Sequence, residues 1–259
     1  MLHPGRKVTL TEPSRAHETV DFEGVGVRLK GWWFRGEGVR RGTVVYLHGV
    51  ADNRGSSAWI ADHFVPLGFD MIAYDSRAHG QSSGDACTYG YYEKQDLGRV
   101  LSGVQSTPII VIGSSLGAAV ALQAAADDAR ISAVVAVATF SDLRAAAMDR
   151  APFFASKGNI EAAFRIAEQS AQFRVDEVSP VAAAARINVP VLLIHGDNDR
   201  ETPPAHSRRV FDALRDPKRF ILVSGAGHNN ALSSAIWHDL DAWLENALKR
   251  GVRPSGAGP

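Results

Sequence analysis

The sequence predicts an α/β fold, a mostly parallel central sheet flanked by helices, and three observations carry that expectation. Short apolar runs without clean alternation recur between helical patterns along the 259 residues. Such runs suit strands covered on both faces, the way parallel sheets are buried. The pentapeptide Gly113-Ser114-Ser115-Leu116-Gly117 stands where an apolar run enters and an apolar helical pattern leaves. Finally, a serine (Ser115), an acidic loop (197–201) and a histidine (His228) each follow the end of an apolar run, the edge at which open α/β sheets collect ligands.

Residues 20–23 and 25–34 alternate apolar with polar around Gly24 and Gly26, which predicts an antiparallel hairpin at one sheet edge. The runs 43–48, 70–74, 108–113, 131–139, 190–195 and 219–223 supply six further strands. Helical patterns over 57–66, 91–104, 115–127, 204–214 and 231–249 fall between and after them, so the crossovers should be right-handed and the sheet mostly parallel. The longest interruption, 141–187, lies between the sixth and seventh strands and admits two or three short helices as a cap over the strand ends. A single domain over 1–259 with that insertion is expected, and 253–259 reads as a frayed tail.

Composition narrows the function classes. Lys+Arg 28 balances Asp+Glu 28, so no overall field favours nucleic acid or an anionic membrane as partner. Cys87 is the sole cysteine, which excludes an intrachain disulfide and fits a reducing, cytoplasmic setting. No run approaches the roughly 18 apolar residues that a spanning helix needs, and the first eight residues lack a signal-peptide apolar core. Neither H-E-x-x-H nor paired C-x-x-C occurs, and 113–117 lacks a P-loop lysine, so neither metal nor cofactor is expected.

What remains is nucleophilic chemistry. G-x-S-x-G between a strand and a helix lifts the middle serine off the sheet, and position selects Ser115 over Ser114. A hydroxyl is a poor nucleophile at neutral pH and needs a base, an acid to orient it, and donors for the oxyanion. The loop 195–203 offers Asp197 and Asp199, Asp142 follows the sixth strand, and His228 sits among small residues after the last strand. His238 falls within a helical pattern and suits a solvated or satisfied helix position.

The order serine, acid, histidine, together with Tyr46-Leu47-His48-Gly49-Val50 and the turn Asp75-Ser76-Arg77-Ala78-His79-Gly80-Gln81-Ser82, resembles the α/β-hydrolase fold superfamily over roughly 21–248. Within it, the His48-Gly49 pair followed by Asn53-Arg54, and the loop 195–199, are similar to small bacterial serine hydrolases of the esterase and S33-peptidase-like branch. The opening Leu2-His3-Pro4 and its basic residues are similar to the stretch after an N-terminal anchor in some members.

The resemblance implies Ser115 as nucleophile, His228 as base and Asp199, matching HG-x-x-D, as acid, with Asp197 left to brace its loop. It implies the backbone N–H groups of Val50 and Leu116 as oxyanion donors, the latter helped by its helix dipole. With a modest cap and no propeller or large second domain to select peptides, a small-molecule carboxylic ester of short to medium acyl chain is the expected substrate. The same triad serves aminopeptidase-like amide and thioester hydrolysis, and a non-catalytic ligand-binding relative keeps the same fold. Met148, Phe153 and Phe154 in the insertion are candidate substrate contacts, although aromatics at helical spacing more often pack cap onto core. His48 and His79 are expected to brace their turns, and Asp96 and Arg99 to form a charged surface or cap contact. Ala78 stands where the family's turn has glycine, which leaves that turn's backbone open.

Overall fold

A computed structural model describes residues 2–9, 11–152 and 154–251, with side chains through residue 249; the expectations for Phe153 and for 253–259 lie outside them. The edge hairpin forms as β1 (Glu18–Glu23) and β2 (Arg28–Phe34), paired antiparallel. The remaining strands are β3 (Gly42–Leu47), β4 (Phe69–Tyr74), β5 (Ile109–Ser114), β6 (Ile131–Val137), β7 (Val191–Gly196) and β8 (Lys218–Val223). They lie in the order β1-β2-β4-β3-β5-β6-β7-β8, with β2 antiparallel to β4 and every later pairing parallel.

Chain order reverses about β3: the next strand, β4, lies on one side of it and β5 on the other. The loops leaving β3 and β5 therefore diverge, opening a crevice between their carboxyl ends. Two apolar layers hold the sheet. Val45, Leu47, Ile72 and Val111 face one way, and Val44, Tyr46, Met71 and Ile110 the other, because neighbouring strand residues point to opposite faces. Helices α2 (Glu93–Leu101) and α3 (Leu116–Ala125) pack on the first face. On the second lie α1 (Ala58–Phe64) and the last helix (Trp237–Gly251).

Between β6 and β7 stand α4 (Leu143–Asp149), α5 (Lys157–Ala171) and α6 (Pro180–Ala184), and α7 (Ala205–Ala213) links β7 to β8. Each insertion helix starts on a capping side chain: Asp142, Ser156 and Ser179 accept from the amides of Ala145, Asn159 and Ala182. Asp142 is thereby spent on a helix start. The last helix, α8, begins later than the pattern suggests, because Ser233 is extended and Ser234–Ile236 forms a 3₁₀ turn. β6 stops short of Thr139 because Ala138 turns left-handed, φ 52°.

The Asp75–Ser82 turn resolves the question raised by Ala78, which keeps a glycine-like φ of 61° despite its methyl group. A branched side chain cannot share that conformation, so Ala78→Val is expected to cost about 2 kcal/mol or more in denaturant unfolding. Ala78→Gly should stay within about 1 kcal/mol of the parent.

Among the described residues no helix is long and apolar enough to cross a membrane, and no group of three or more His, Cys, Asp or Glu could hold a metal ion.

Candidate active site

β5 delivers Ser115 into a backbone conformation, φ 51° and ψ −107°, that side chains rarely adopt. Its N–H donates to Val137 O at 2.8 Å, tying the turn to β6. Close approach explains both flanking glycines. A Cβ on Gly117 would stand 2.1 Å from Leu47 O of β3, and one on Gly113 would stand 2.2 Å from Gly117 O. Only glycine lets the start of α3 lie so close to β3, and that contact holds the strained turn in place.

Ser115 Oγ lies 2.9 Å from His228 Nε2. His228 Nδ1 lies 2.6 Å from Asp199 Oδ2. A carboxylate only accepts, so Nδ1 carries the proton and Nε2 is free to accept from the serine hydroxyl. The imidazole side chain is 7% exposed and Ser115 8%, so the relay is screened from bulk water yet open on one side.

Asp199 Oδ1 accepts from the amides of Glu201 and Thr202, both at 2.9 Å. Burial alone would raise this carboxyl, but hydrogen bonds from His195, His228 and the Thr202 amide outweigh it and hold Asp199 well below the usual carboxylate range. Asp197 instead accepts from Gly225 N at 2.7 Å, clasping its loop to the one that carries His228.

His195 is the residue that motif reading misses. Fully buried, its Nε2 lies 2.8 Å from Thr202 O and 3.0 Å from Asp199 Oδ2, while Nδ1 lies 2.6 Å from Ser207 Oγ. The Thr202 carbonyl only accepts, so Nε2 carries hydrogen, and in the neutral ring Nδ1 takes the Ser207 proton. Asp199 Oδ2 thus receives donors from two histidines. The HG-x-x-D spacing was the available signal, since it puts His195 four residues before the acid.

On the other wall, Gly49 passes close to Ser115: a Cβ built on it would lie 3.6 Å from that of Ser115. Among the described residues, neither the Val50 nor the Leu116 N–H meets a backbone or side-chain acceptor. His48 braces this loop as expected, with Nδ1 2.7 Å from Gly49 O and Nε2 accepting from Ser76 N at 2.9 Å. Arg54 (3% exposed) and Asp75 (0%) pair below it at 2.5 Å and link it to the Ala78 turn. Asp96 departs from expectation. It is buried and accepts from Arg77 Nε at 2.7 Å, Arg77 Nη2 at 2.8 Å and Val25 N at 2.7 Å, a core clamp in place of a surface charge. Arg99 is exposed.

Burial, and then the neighbouring His48 ring, push His79 down to about 4, and burial likewise lowers His48. Nδ1 of His79 lies 2.8 Å from Arg77 O and its Nε2 has no partner among the described residues, so a second proton would be buried unpaired. A histidine lowered on folding lends stability that is complete above the unfolded value of ~6.5 and is lost as pH falls toward 4, on the order of 3 kcal/mol. Denaturant unfolding at pH 7.5 and 4.5 should show that loss, and His79→Asn should shrink it.

A cleft of about 410 Å³ opens over Ser115 and His228, with Asp52, Trp59, Arg150, Glu201 and Asn229 in its walls. Arg150 is held there by Glu201 O at 2.9 Å and Thr202 Oγ1 at 2.8 Å. Neither Met148, 45% exposed, nor Phe154, 76% exposed, lines it. From α4 it is Leu143 and Ala146, on the buried face, that border a small hollow beside Ser115.

A family model described as alpha/beta hydrolase fold matches residues 42–173, and one described as TAP-like protein matches 165–250. The uncharacterized protein YqkD of Bacillus subtilis (strain 168) is 32% identical over 196 residues, which cover 72% of this chain and 64% of that protein. The match thus spans less than two thirds of that relative's length. The Pyrococcus furiosus esterase Pf2001 superposes with a TM-score of 0.74 at 23% identity, covering 96% of this chain and 99% of that one. The acylaminoacyl peptidase of Pyrococcus horikoshii gives 0.65 at 14%, covering 94% and 43%. At these identities the likeness to the two solved structures is one of fold.

Proposed function

The chain belongs to the α/β-hydrolase fold family, and on that premise we propose that it is a serine hydrolase cleaving carboxylic esters of short to medium acyl chain. One observation carries the reading: the unbroken relay Ser115 Oγ to His228 Nε2 at 2.9 Å, and His228 Nδ1 to Asp199 Oδ2 at 2.6 Å. Neighbours of the same fold include both an esterase and an acylaminoacyl peptidase, so the choice of ester over amide rests on the assay below.

In the first step Ser115 Oγ bonds to the acyl carbon as its proton passes to His228 Nε2, and the carbonyl electron pair moves onto oxygen. The Val50 and Leu116 amides receive that oxyanion, and Asp199 steadies the imidazolium. Collapse breaks the bond to the alcohol oxygen, which takes the proton from His228 and leaves acyl-Ser115. Water then repeats the sequence, giving the carboxylic acid and free Ser115. The helices between β6 and β7 act as a cap on the cleft, with Arg150 as its inner edge.

A fluorophosphonate probe tests the reading directly, because an activated Ser115 becomes covalently labelled and a passive binding protein does not. Turnover of p-nitrophenyl esters with little turnover of aminoacyl-anilides is the expected preference. The reverse order would replace the ester reading with the amide one.

A further inference from the structure

Two hollows of different size meet at Ser115. The wide one is the cleft of about 410 Å³ whose walls carry groups of both charges. The other measures about 20 Å³ and is walled by Tyr89, Leu116, Phe140, Leu143 and Ala146, each no more than 9% exposed. Val50, Ser115 and Arg150 border both, whereas His228 borders only the wide one.

This asymmetry assigns the two halves of the substrate, given the ester-hydrolase reading above, on which the inference rests. His228 must return its proton to the leaving oxygen, so the alcohol half lies against its Nε2, in the wide cleft. The tetrahedral carbon also binds Ser115 Oγ and directs its oxyanion to the Val50 and Leu116 amides. The fourth substituent, the acyl chain, has the small hollow left to it, apolar but for Arg150 at its border. One water-sized group needs about 10–15 Å³ of such space. We infer that the acyl group is acetyl, with propionyl at the limit, and that the alcohol is a hydroxyl-rich molecule such as a sugar. Asp52, Glu201, Asn229, Arg150 and Lys7 supply acceptors and donors for several hydroxyls, and the two acidic and two basic side chains balance, so no net charge selects an ion.

The short end of the acyl range follows from two side chains of α4 and one that precedes it. Leu143 and Ala146 face the hollow from the insertion, and Phe140 closes it from the end of β6. Their volumes, more than the triad, then set which esters react.

Values of kcat/KM on the full chain for p-nitrophenyl acetate, propionate, butyrate and hexanoate test the acyl half. A fall of about tenfold or more is expected between propionate and butyrate, the usual discrimination for an extra methylene that a pocket cannot hold. Leu143→Ala should raise the butyrate value relative to acetate by a similar factor, and Phe140→Leu gives the same readout should Leu143→Ala fail to fold. Equal rates from acetate to hexanoate in the parent protein would overturn the inference while leaving the ester reading intact. Absence of both ester turnover and fluorophosphonate labelling would remove the ester reading, and this inference with it. For the alcohol half, a monosaccharide acetate should exceed cyclohexyl acetate in kcat/KM by at least about tenfold, and the opposite preference would overturn that half.

Discussion

Replacing Ser115 by alanine is expected to lower ester kcat/KM by about 10⁴-fold or more while leaving the fold intact. Among the described residues the side-chain hydroxyl makes one hydrogen bond, to His228 at 2.9 Å, and the strained backbone is held by the Ser115 N–H to Val137 O bond and the two glycine contacts, none of which the substitution touches. An alanine at φ 51° carries the same strain as the serine, so unfolding should change by less than about 1 kcal/mol. Residual turnover, if any, would come from substrate held against the Val50 and Leu116 amides and attacked by water. Because nucleophile and base act as a unit, adding His228→Ala to Ser115→Ala should cost little more. Steady-state kinetics with active-site labelling check this, and near-parental turnover by Ser115→Ala would sink the assignment.

Asp199→Asn is expected to cost about 10⁴-fold in kcat, for a reason that differs from loss of a nucleophile. Oδ1 of Asp199 accepts from two backbone amides, so the asparagine oxygen would settle there and its NH₂ would take the place of Oδ2. Two N–H groups, His228 Nδ1–H and His195 Nε2–H, would then point at a donor. His228 escapes by moving its proton to Nε2, which leaves no lone pair to receive the Ser115 proton. KM should change little, because Asp199 does not line the cleft. The counter-test is Asp142→Asn: it removes a helix cap, so it should cost roughly 1 kcal/mol of stability and little activity. Activity that survives Asp199→Asn and dies with Asp142→Asn would move the acid to the end of β6.

The acid-side loss of stability assigned to His79 can be separated from Asp199 by its window. A carboxyl lowered on folding contributes stability that is complete above the unfolded value of ~3.9 and declines only as pH falls below it. Loss between pH 6.5 and 4 therefore belongs to the buried histidines, and further loss below pH 4 to Asp199 and other paired carboxylates.

Much of the candidate site could be read from the chain because its signals are local. Gly113 and Gly117 flank a serine between a strand and a helix, and His195-Gly196 with Asp199 fits in one loop; a few neighbouring residues specify each turn. The strands were legible for the same kind of reason, six from the unbroken apolar runs that covered strands demand and the edge hairpin from its alternation. Legibility failed where a partner comes from another element. Asp96 looked like a surface charge on an amphipathic helix, yet packing α2 beside β1 brings it onto Arg77 and Val25 N. His195 looked like part of a motif, yet its second contact, Ser207, lies on α7.

The sequence alone thus determined the strands, the turn that strains Ser115 and the chemical types available at the sheet's carboxyl edge, because backbone preference and burial period are properties of adjacent residues. Only the tertiary structure decided that Leu143 and Ala146, and not Met148 or Phe154, border the hollow of about 20 Å³ beside Ser115, and that two histidines share one carboxylate oxygen. Those are distances between elements, set by how helices and loops settle on the sheet, and no single segment encodes them.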